Sequence, residues 1–230
     1  MEQETTRTIR AVAFDIDGTL YSNWAMYRVT LPLVLRHLKL FRAFGKARRE
    51  VRGEYPLDDL ERRTAELTAS HLGWSLTETR AAIRAIIYGD WEQRLSKVAP
   101  LPGARDTVLW LREQGVRTAA LSDFPTEEKL RILGLDGLWD VSFSSEETHY
   151  LKPRPEPFDR LVRDLAVPRE NVLYVGNSYA YDVRGADEAG LMTAHLTRRP
   201  PRESRADFSF HRYEDLRKWL ERRINGTEPD

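Results

Sequence analysis

The sequence predicts an α/β protein with a doubly wound, mainly parallel sheet of Rossmann-like type and an inserted all-helical module. First, short apolar runs recur, of the kind that form strands buried on both faces of a parallel sheet. They lie at residues 9–14, 116–121, 141–143, 172–175 and 191–196. Second, helical patterns alternate with these runs from about residue 100 onward, which favours parallel βα units. Third, residues 22–99 contain helical patterns and no convincing strand.

The helices of the alternating part are predicted from their ends and their apolar faces. Gly115 and Gly190 each follow an apolar helical pattern and are suited to end a helix. Thr126 is suited to cap the helix after the second strand, and Pro155 to occupy the first position of the next helix. A last helix has apolar residues at positions 216, 219, 220 and 224.

Residues 22–99 break the alternation with three or four helical patterns. One follows Thr30 and Pro32, one covers residues 58–71, and one starts at Ser75, where the sequence SLTE has the spacing of a capping box. The sequence APLPG at 99–103 is predicted to be the return linker. We therefore predict a core domain of residues 1–21 and 100–230, with a helical cap domain of residues 22–99.

Composition limits the classes of function. The 230 residues include 36 Lys and Arg against 36 Asp and Glu, so the formal charge gives no reason to expect a nucleic-acid polymer or a membrane as partner. The absence of cysteine excludes disulfides, thiolate metal sites and cysteine nucleophiles. The polar N-terminal residues and the lack of an apolar run of about 18 residues favour a soluble, cytoplasmic protein.

Polar residues follow the predicted strands at the edge where an open α/β sheet binds its ligands. Asp15 and Asp17 follow the first strand, and Lys152 lies in a proline-rich turn after the third. Because alternate residues of an extended chain point to the same side, Asp17 is expected to lie near Asp15. The other candidates at this edge are Ser122, Asp123, Asn177 and Asp182.

Four stretches carry a family resemblance. The sequences DIDGTL at 15–20, LSD at 121–123, KPRPEPF at 152–158 and GNSYAYDVRGADEAG at 176–190 resemble the four ordered motifs of the haloacid dehalogenase-like superfamily. Most members of that superfamily are phosphate-ester hydrolases, and the helical insertion resembles the cap that some of them carry after the first motif. Members that cleave carbon–halogen bonds typically lack the second acid of the first motif, so Asp17 favours phosphate chemistry.

The resemblance implies roles that agree with the chemistry of phosphate esters. Asp15 is expected to attack phosphorus and form an aspartyl-phosphate, with Asp17 as general acid and base. Mg²⁺ prefers one or two carboxylates together with neutral oxygens and water. Its expected ligands are Asp15, the backbone carbonyl of Asp17, Asp182 and Asn177. The expected phosphate-binding residues are Ser122, Asp123 and Lys152, and Lys152 would also offset the charge of Asp15.

Several alternatives stay open from the sequence. The family usually has an Asp at position 177, and Asn177 brings no charge to a metal, so a catalytically silent binding protein is one alternative. A dehalogenase or a phosphotransferase using the same nucleophile is another. Tyr21, Trp24 and Tyr27 are expected either at the substrate entrance or between the two domains. The basic run at 42–52 is expected to face solvent rather than to bind a second anion of the substrate. The substrate, a small phosphorylated metabolite, and the oligomeric state are not identified.

Overall fold

A computed structural model describes residues 8–225 and contains a single six-stranded sheet in which every pairing is parallel. The strand order is β3-β2-β1-β4-β5-β6, so the chain builds one half of the sheet outward from β1 and then returns to build the other. The strands are β1 Ala11–Phe14, β2 Arg117–Ser122, β3 Val141–Ser144, β4 Val172–Gly176, β5 Met192–Leu196 and β6 Phe208–Phe210.

Residues 23–95, between β1 and β2, contain helices joined by turns and no strand. We call residues 23–95 the helical segment. Its elements are α1 Asn23–Arg36, α2 Leu38–Val51, α3 Leu60–Leu72, α4 Leu76–Ala82, a π-helical stretch Ile83–Asp90 and α5 Trp91–Leu95. The side chains of Ser22, Asp59 and Ser75 cap α1, α3 and α4 by accepting hydrogen bonds from backbone N–H groups three residues ahead.

The remaining helices cover both faces of the sheet. They are α6 Ala104–Glu113, α7 Glu127–Ile132, α8 Pro155–Leu165, α9 Arg184–Glu188 and α10 Tyr213–Asn225. In β1, Val12 and Phe14 point into an apolar cluster with α6 and α10, whereas Ala11 and Ala13 point into a second cluster with α8. Burial on both faces explains why the strands are apolar without alternation, and it holds the end of β1 rigidly in the middle of the sheet.

The predicted fold class is confirmed, but one strand was not predicted and one helix starts earlier than predicted. The sequence did not indicate β6, a three-residue edge strand with Ser209 at its centre. The predicted helix at Thr30–Pro32 starts earlier, at Asn23, and Pro32 lies inside it. Pro32 removes only its own N–H from the helix, and α1 ends at Arg36 one turn later.

Two capping predictions had different outcomes. Pro155 is the first residue of α8, as predicted. The hydroxyl of Thr126 makes no capping hydrogen bond to α7 and instead contacts the hydroxyl of Ser142 at 2.9 Å.

The helical segment joins the rest of the chain at a short link. Tyr21 forms an isolated antiparallel bridge with Pro100, and the N–H of Leu101 donates to the carbonyl of Leu20 at 2.8 Å. The division into domains at residues 21/22 and 99/100 stays a prediction. Within residues 8–225 we find no helix that combines the length and the apolar character required to cross a bilayer.

Candidate active site

The predicted site residues meet at the carboxyl edge of the sheet, around the ends of β1 and β4. These two strands are neighbours, and the chain reverses its direction of growth between them. Such a reversal leaves a crevice, because the connections leave the two strands in opposite directions. Asp15 directly follows β1, and Asn177 directly follows β4.

Lys152 joins two carboxylates that are far apart in the chain. Its Nζ lies 2.8 Å from Oδ1 of Asp15 and 2.7 Å from Oδ1 of Asp182. The same ammonium contacts the hydroxyl of Tyr174 at 3.0 Å. Lys152, Asp15 and Asp182 are all buried, so water screens these charges little.

The charges in this cluster do not balance. Two carboxylates face one ammonium, and burial together with Asp182 raises the pKa of Asp15 from 3.8 to about 7, against the opposing effect of Lys152. Burial also disfavours the charge of Lys152, but Asp15 and Asp182 outweigh it and raise the pKa of Lys152 well above its usual value. When both acids are ionised the cluster therefore carries excess negative charge, which favours binding of a cation.

Glycine residues and hydrogen bonds fix the positions of the Asp15 and Asp182 carboxylates. A Cβ on Gly176 would overlap the side chain of Asp182, so only glycine fits at the end of β4. The backbone N–H of Ser178 donates to Oδ2 of Asp182 at 2.9 Å, and the hydroxyl of Thr19 donates to Oδ2 of Asp15 at 2.8 Å. Gly18 has a φ of +91°, which the turn between Asp17 and Thr19 requires. Both carboxylates are therefore fixed by their second oxygens.

Asp17 lies in a separate group of polar contacts. Lys129 Nζ lies 2.8 and 2.7 Å from the two oxygens of Asp17. The hydroxyl of Tyr21 donates to Oδ1 at 2.5 Å, and that of Ser122 donates to Oδ2 at 2.7 Å. Removal from water acts to raise the pKa of Asp17, but the charge of Lys129 and these hydrogen bonds outweigh it and lower the pKa below 3.8. Asp17 is therefore ionised in this arrangement.

Asp123 does not face the site with a free carboxylate. Its Oδ1 accepts from the hydroxyl of Ser145 at 2.6 Å and from the backbone N–H of Lys152 at 3.1 Å, and its Oδ2 pairs with Arg52. Burial acts to raise its pKa, but Lys152, Arg52 and Arg48 lower it. An ionised carboxylate offers no donor to a phosphoryl oxygen, and this one holds the turn that carries Lys152. The phosphate-binding role of residue 123 stays a prediction.

Asn177 lies beside the acidic cluster. Its Oδ1 accepts from the hydroxyl of Thr19 at 3.3 Å, and Thr19 also contacts Asp15. An amide oxygen here can add a neutral ligand to the carboxylates of Asp15 and Asp182. In residues 8–225 no group of three or more His, Cys, Asp or Glu side chains could hold a metal ion. A metal would thus depend on two carboxylates plus neutral oxygens, which is a usual donor set for Mg²⁺.

The sequence did not identify three basic residues that shape the site. Lys129 follows two glutamates in α7, and nothing distinguishes it from a solvated helix residue, yet it is buried against Asp17. Arg48 and Arg52 belong to the basic run that was expected to face solvent. Instead, Arg48 binds Glu146 and the backbone carbonyl of Asp123, and Arg52 binds Asp123 and the carbonyl of Lys152. The spacing of four residues between Arg48 and Arg52 was the one feature of the sequence that could have indicated a shared role.

Two of the three aromatic residues after the first motif lie near the site, and the third does not. Tyr21 is buried and hydrogen-bonded to Asp17, and Tyr27 lines a cavity beside it. Trp24 is 69% exposed and does neither.

Two known proteins are similar to this chain over most of its length. The chain is 28% identical over 205 residues to a glyceraldehyde 3-phosphate phosphatase of Methanopyrus kandleri, covering 83% of this chain and 84% of that protein. It is 28% identical over 206 residues to a ribulose-1,5-bisphosphate 5-phosphatase of Halopiger xanaduensis, covering 80% and 82%.

The fold is shared with solved structures. The L-2-haloacid dehalogenase of Xanthobacter autotrophicus superposes with a TM-score of 0.64 over 93% of this chain and 98% of that one, at 21% identity. The model of the haloacid dehalogenase-like hydrolases matches residues 9–190. The match spans the ends of β1, β2 and β4 and the turn that carries Lys152. The chain therefore belongs to the haloacid dehalogenase-like hydrolase family.

Proposed function

We propose that this hydrolase is a phosphatase that cleaves a small phosphorylated metabolite with Asp15 as nucleophile. The observation that carries the proposal is the contact of Asp15 and Asp182 with one buried ammonium, Lys152, at the end of the central strand. A phosphate ester repels a carboxylate, so an attacking carboxylate needs cationic groups beside it. The names of the two relatives support the same class of substrate.

The reaction would proceed in two steps. An oxygen of Asp15 attacks phosphorus, the bond from phosphorus to the ester oxygen breaks, and Asp17 gives its proton to the leaving oxygen. Asp17 then takes a proton from water as the water oxygen attacks phosphorus, and the bond from phosphorus to the oxygen of Asp15 breaks. This releases inorganic phosphate and restores the carboxylate of Asp15.

The contact of Lys129 with Asp17 affects whether Asp17 carries the proton that the first step requires. Asp17 must carry a proton to act as an acid, yet Lys129 keeps it ionised in the absence of substrate. A bound phosphoryl group adds negative charge near Asp17, which favours its protonated form and offers Lys129 and Ser122 other partners. We therefore expect Asp17 to gain its proton together with substrate.

The residues present fit Mg²⁺. The carboxylates of Asp15 and Asp182, the backbone carbonyl of Asp17 and the amide oxygen of Asn177 would hold it. When bound, the ion supplies the positive charge that the acidic cluster lacks and reduces repulsion between Asp15 and the phosphoryl oxygens. Ser122 and Lys152 would donate to the phosphoryl oxygens.

The test is release of inorganic phosphate from a panel of phosphate esters, with Mg²⁺ and with EDTA. We expect turnover with Mg²⁺, none in Asp15→Asn, and a phosphoryl adduct on the peptide that contains Asp15 after rapid acid quench. Asp15→Asn is expected to keep its circular dichroism spectrum. Full activity in that variant would end the proposal.

The same panel separates the alternatives. Halide release from 2-haloacids that is unaffected by EDTA would indicate a dehalogenase. Transfer of the phosphoryl group to an added alcohol in preference to water would indicate a phosphotransferase. No turnover with Mg²⁺, Mn²⁺ or Co²⁺ would favour a silent binding protein.

A further inference from the structure

A cavity of about 590 Å³ opens beside Asp17, between the helical segment and the end of β2. Its volume lies in the range of about 300 to 1,000 Å³ that is usual for small-molecule sites. Since Asp17 and Lys129 form part of its wall, it is continuous with the proposed reaction centre. It is where the part of a substrate beyond the phosphate would lie.

Aromatic rings dominate this wall. Eight of the sixteen lining residues are aromatic, whereas aromatics make up 10% of the chain. Phe41 lies 5.7 Å from Trp91 between ring centroids, and Phe44 stacks on Phe124 at 6.4 Å. Phe44 comes from α2 and Phe124 from the turn after β2, so both sides of the cavity contribute rings. A flat, apolar surface is the best partner for such walls.

The two cations of the wall, Lys129 and Arg48, are already paired within residues 8–225. Lys129 binds Asp17, and the two terminal nitrogens of Arg48 bind Glu146 and the carbonyl of Asp123. The hydroxyl of Tyr88 donates to Glu146, and the carboxyl of Glu92 adds negative charge. A second anionic group on the substrate would meet no unpaired cation here, which favours an uncharged leaving group.

We propose that the cavity binds an uncharged flat ring, so that the substrate is the phosphate monoester of a ring-bearing alcohol, with nucleoside 5′-monophosphates as the nearest simple class. This rests on the proposed phosphatase function and narrows it. The proposal distinguishes this chain from enzymes that act on small polyol phosphates, because the leaving groups of those substrates carry hydroxyl groups and no ring that could stack.

The test compares uridine 5′-monophosphate with methyl riboside 5-phosphate. In both, the leaving atom is the primary 5′ oxygen of ribose, and they differ in carrying either uracil or a methoxy group at C1′. We expect kcat/KM to be higher for the nucleotide by about tenfold or more, the scale of stacking one ring on aromatic side chains. A ratio near one, or a preference for the riboside with good turnover, would overturn the ring proposal and leave the phosphatase proposal standing.

Variants of the wall locate the effect. Phe41→Ala is expected to lower that ratio about tenfold. Tyr27→Ala, at a side chain that is 56% exposed and therefore tolerant of truncation, is expected to lower it by a smaller factor. Trp24→Ala, on the same helix as Tyr27 but outside the cavity, should leave the ratio and the activity unchanged. Equal ratios in all three would contradict the proposed position of the ring.

A binding measurement tests the proposal even if the protein hydrolyses none of the esters. In Asp15→Asn, calorimetry with the same two compounds should give tighter binding of the nucleotide. If wild-type protein hydrolyses no ester, tighter nucleotide binding would support the ring site alone, and equal or absent binding would overturn it as well.

Discussion

The ammonium of Lys129 contacts both carboxylate oxygens of Asp17, at 2.8 and 2.7 Å, although 112 residues separate the two. This pair ties α7 to the turn after β1. The side chain of Lys129 is 8% exposed and that of Asp17 28% exposed, so the contact is shielded enough from water to affect both stability and proton transfer.

Lys129→Met should destabilise the fold near neutral pH. It leaves Asp17 ionised without its cation, and we expect a loss of about 1–3 kcal/mol in the free energy of unfolding. Because the pKa of Asp17 lies below 3.8 in the folded protein, the stability from the pair is present above that pH and is lost as pH falls through the lowered pKa. Urea unfolding at neutral pH and at the lowest pH where wild type stays folded measures this.

Arg131→Met is the matched control for Lys129. Arg131 lies on the same helix, is exposed and pairs with Glu128. Because water screens this exposed pair, its loss should cost much less than the loss of Lys129. Equal losses for the two variants would indicate that the contact of Lys129 with Asp17 contributes nothing specific.

Lys152→Met should destabilise the protein most at high pH. The variant leaves Asp15 and Asp182 facing each other in a buried site, and removing one partner of a buried pair costs about 3–5 kcal/mol. The pKa of Asp15 is already raised to about 7 in wild type, and it should rise further without Lys152. The deficit should therefore shrink as pH falls from about 8.5 to about 5.5, where Asp15 is protonated. Guanidinium unfolding in EDTA at both pH values tests this, and a deficit independent of pH would contradict it.

Asp182→Asn and Asn177→Asp should change Mg²⁺ affinity in opposite directions. Affinity for a divalent ion depends on the charge of its ligands, so the first variant should bind Mg²⁺ about tenfold or more weakly and the second more tightly. The Mg²⁺ dependence of the thermal unfolding midpoint measures both without any substrate. Asp187→Asn, at an acid of α9 that pairs with Arg205, serves as the control. No change in Asn177→Asp would exclude Asn177 as a ligand.

Arg52→Ala should weaken the contact between the helical segment and the site. Arg52 Nε donates to the backbone carbonyl of Lys152 at 3.1 Å, and its guanidinium pairs with Asp123 and lies over the ring of Tyr181. We expect a loss of about 1–3 kcal/mol in unfolding free energy, together with lower kcat. Arg49→Ala, at an exposed position in α2, should affect neither. A silent Arg52→Ala would contradict the role given to this contact.

Much of the fold was predictable because its signals are local. The central strands β1 and β4 are uninterrupted apolar runs, since both faces of the sheet are covered there. Asp15 and Asp182 could be brought together from the sequence because carboxyl ends of parallel strands share one edge. The three-residue strand β6 has no such signal, since Phe208 and Phe210 flank a serine in a polar stretch.

The basic residues of the site were not predictable for a physical reason. Lys129, Arg48 and Arg52 have acidic partners on other elements, and a pattern within one helix does not contain that information. Asp123 illustrates the reverse case. Its position at a strand end suggested contact with substrate, but only the packed structure shows that Arg52, Ser145 and Lys152 already occupy its oxygens.

The position of Arg52 has a consequence for timing. The side chain of Arg52, in the helical segment, donates to the carbonyl of Lys152 and also pairs with Asp123. Asp123 in turn accepts a hydrogen bond from the N–H of Lys152. If the helical segment swings outward to let product leave, the backbone beneath Lys152 loses these restraints in the same movement. Such an opening would thus loosen Lys152, which contacts Asp15, so that the site would be fully ordered only in the closed arrangement.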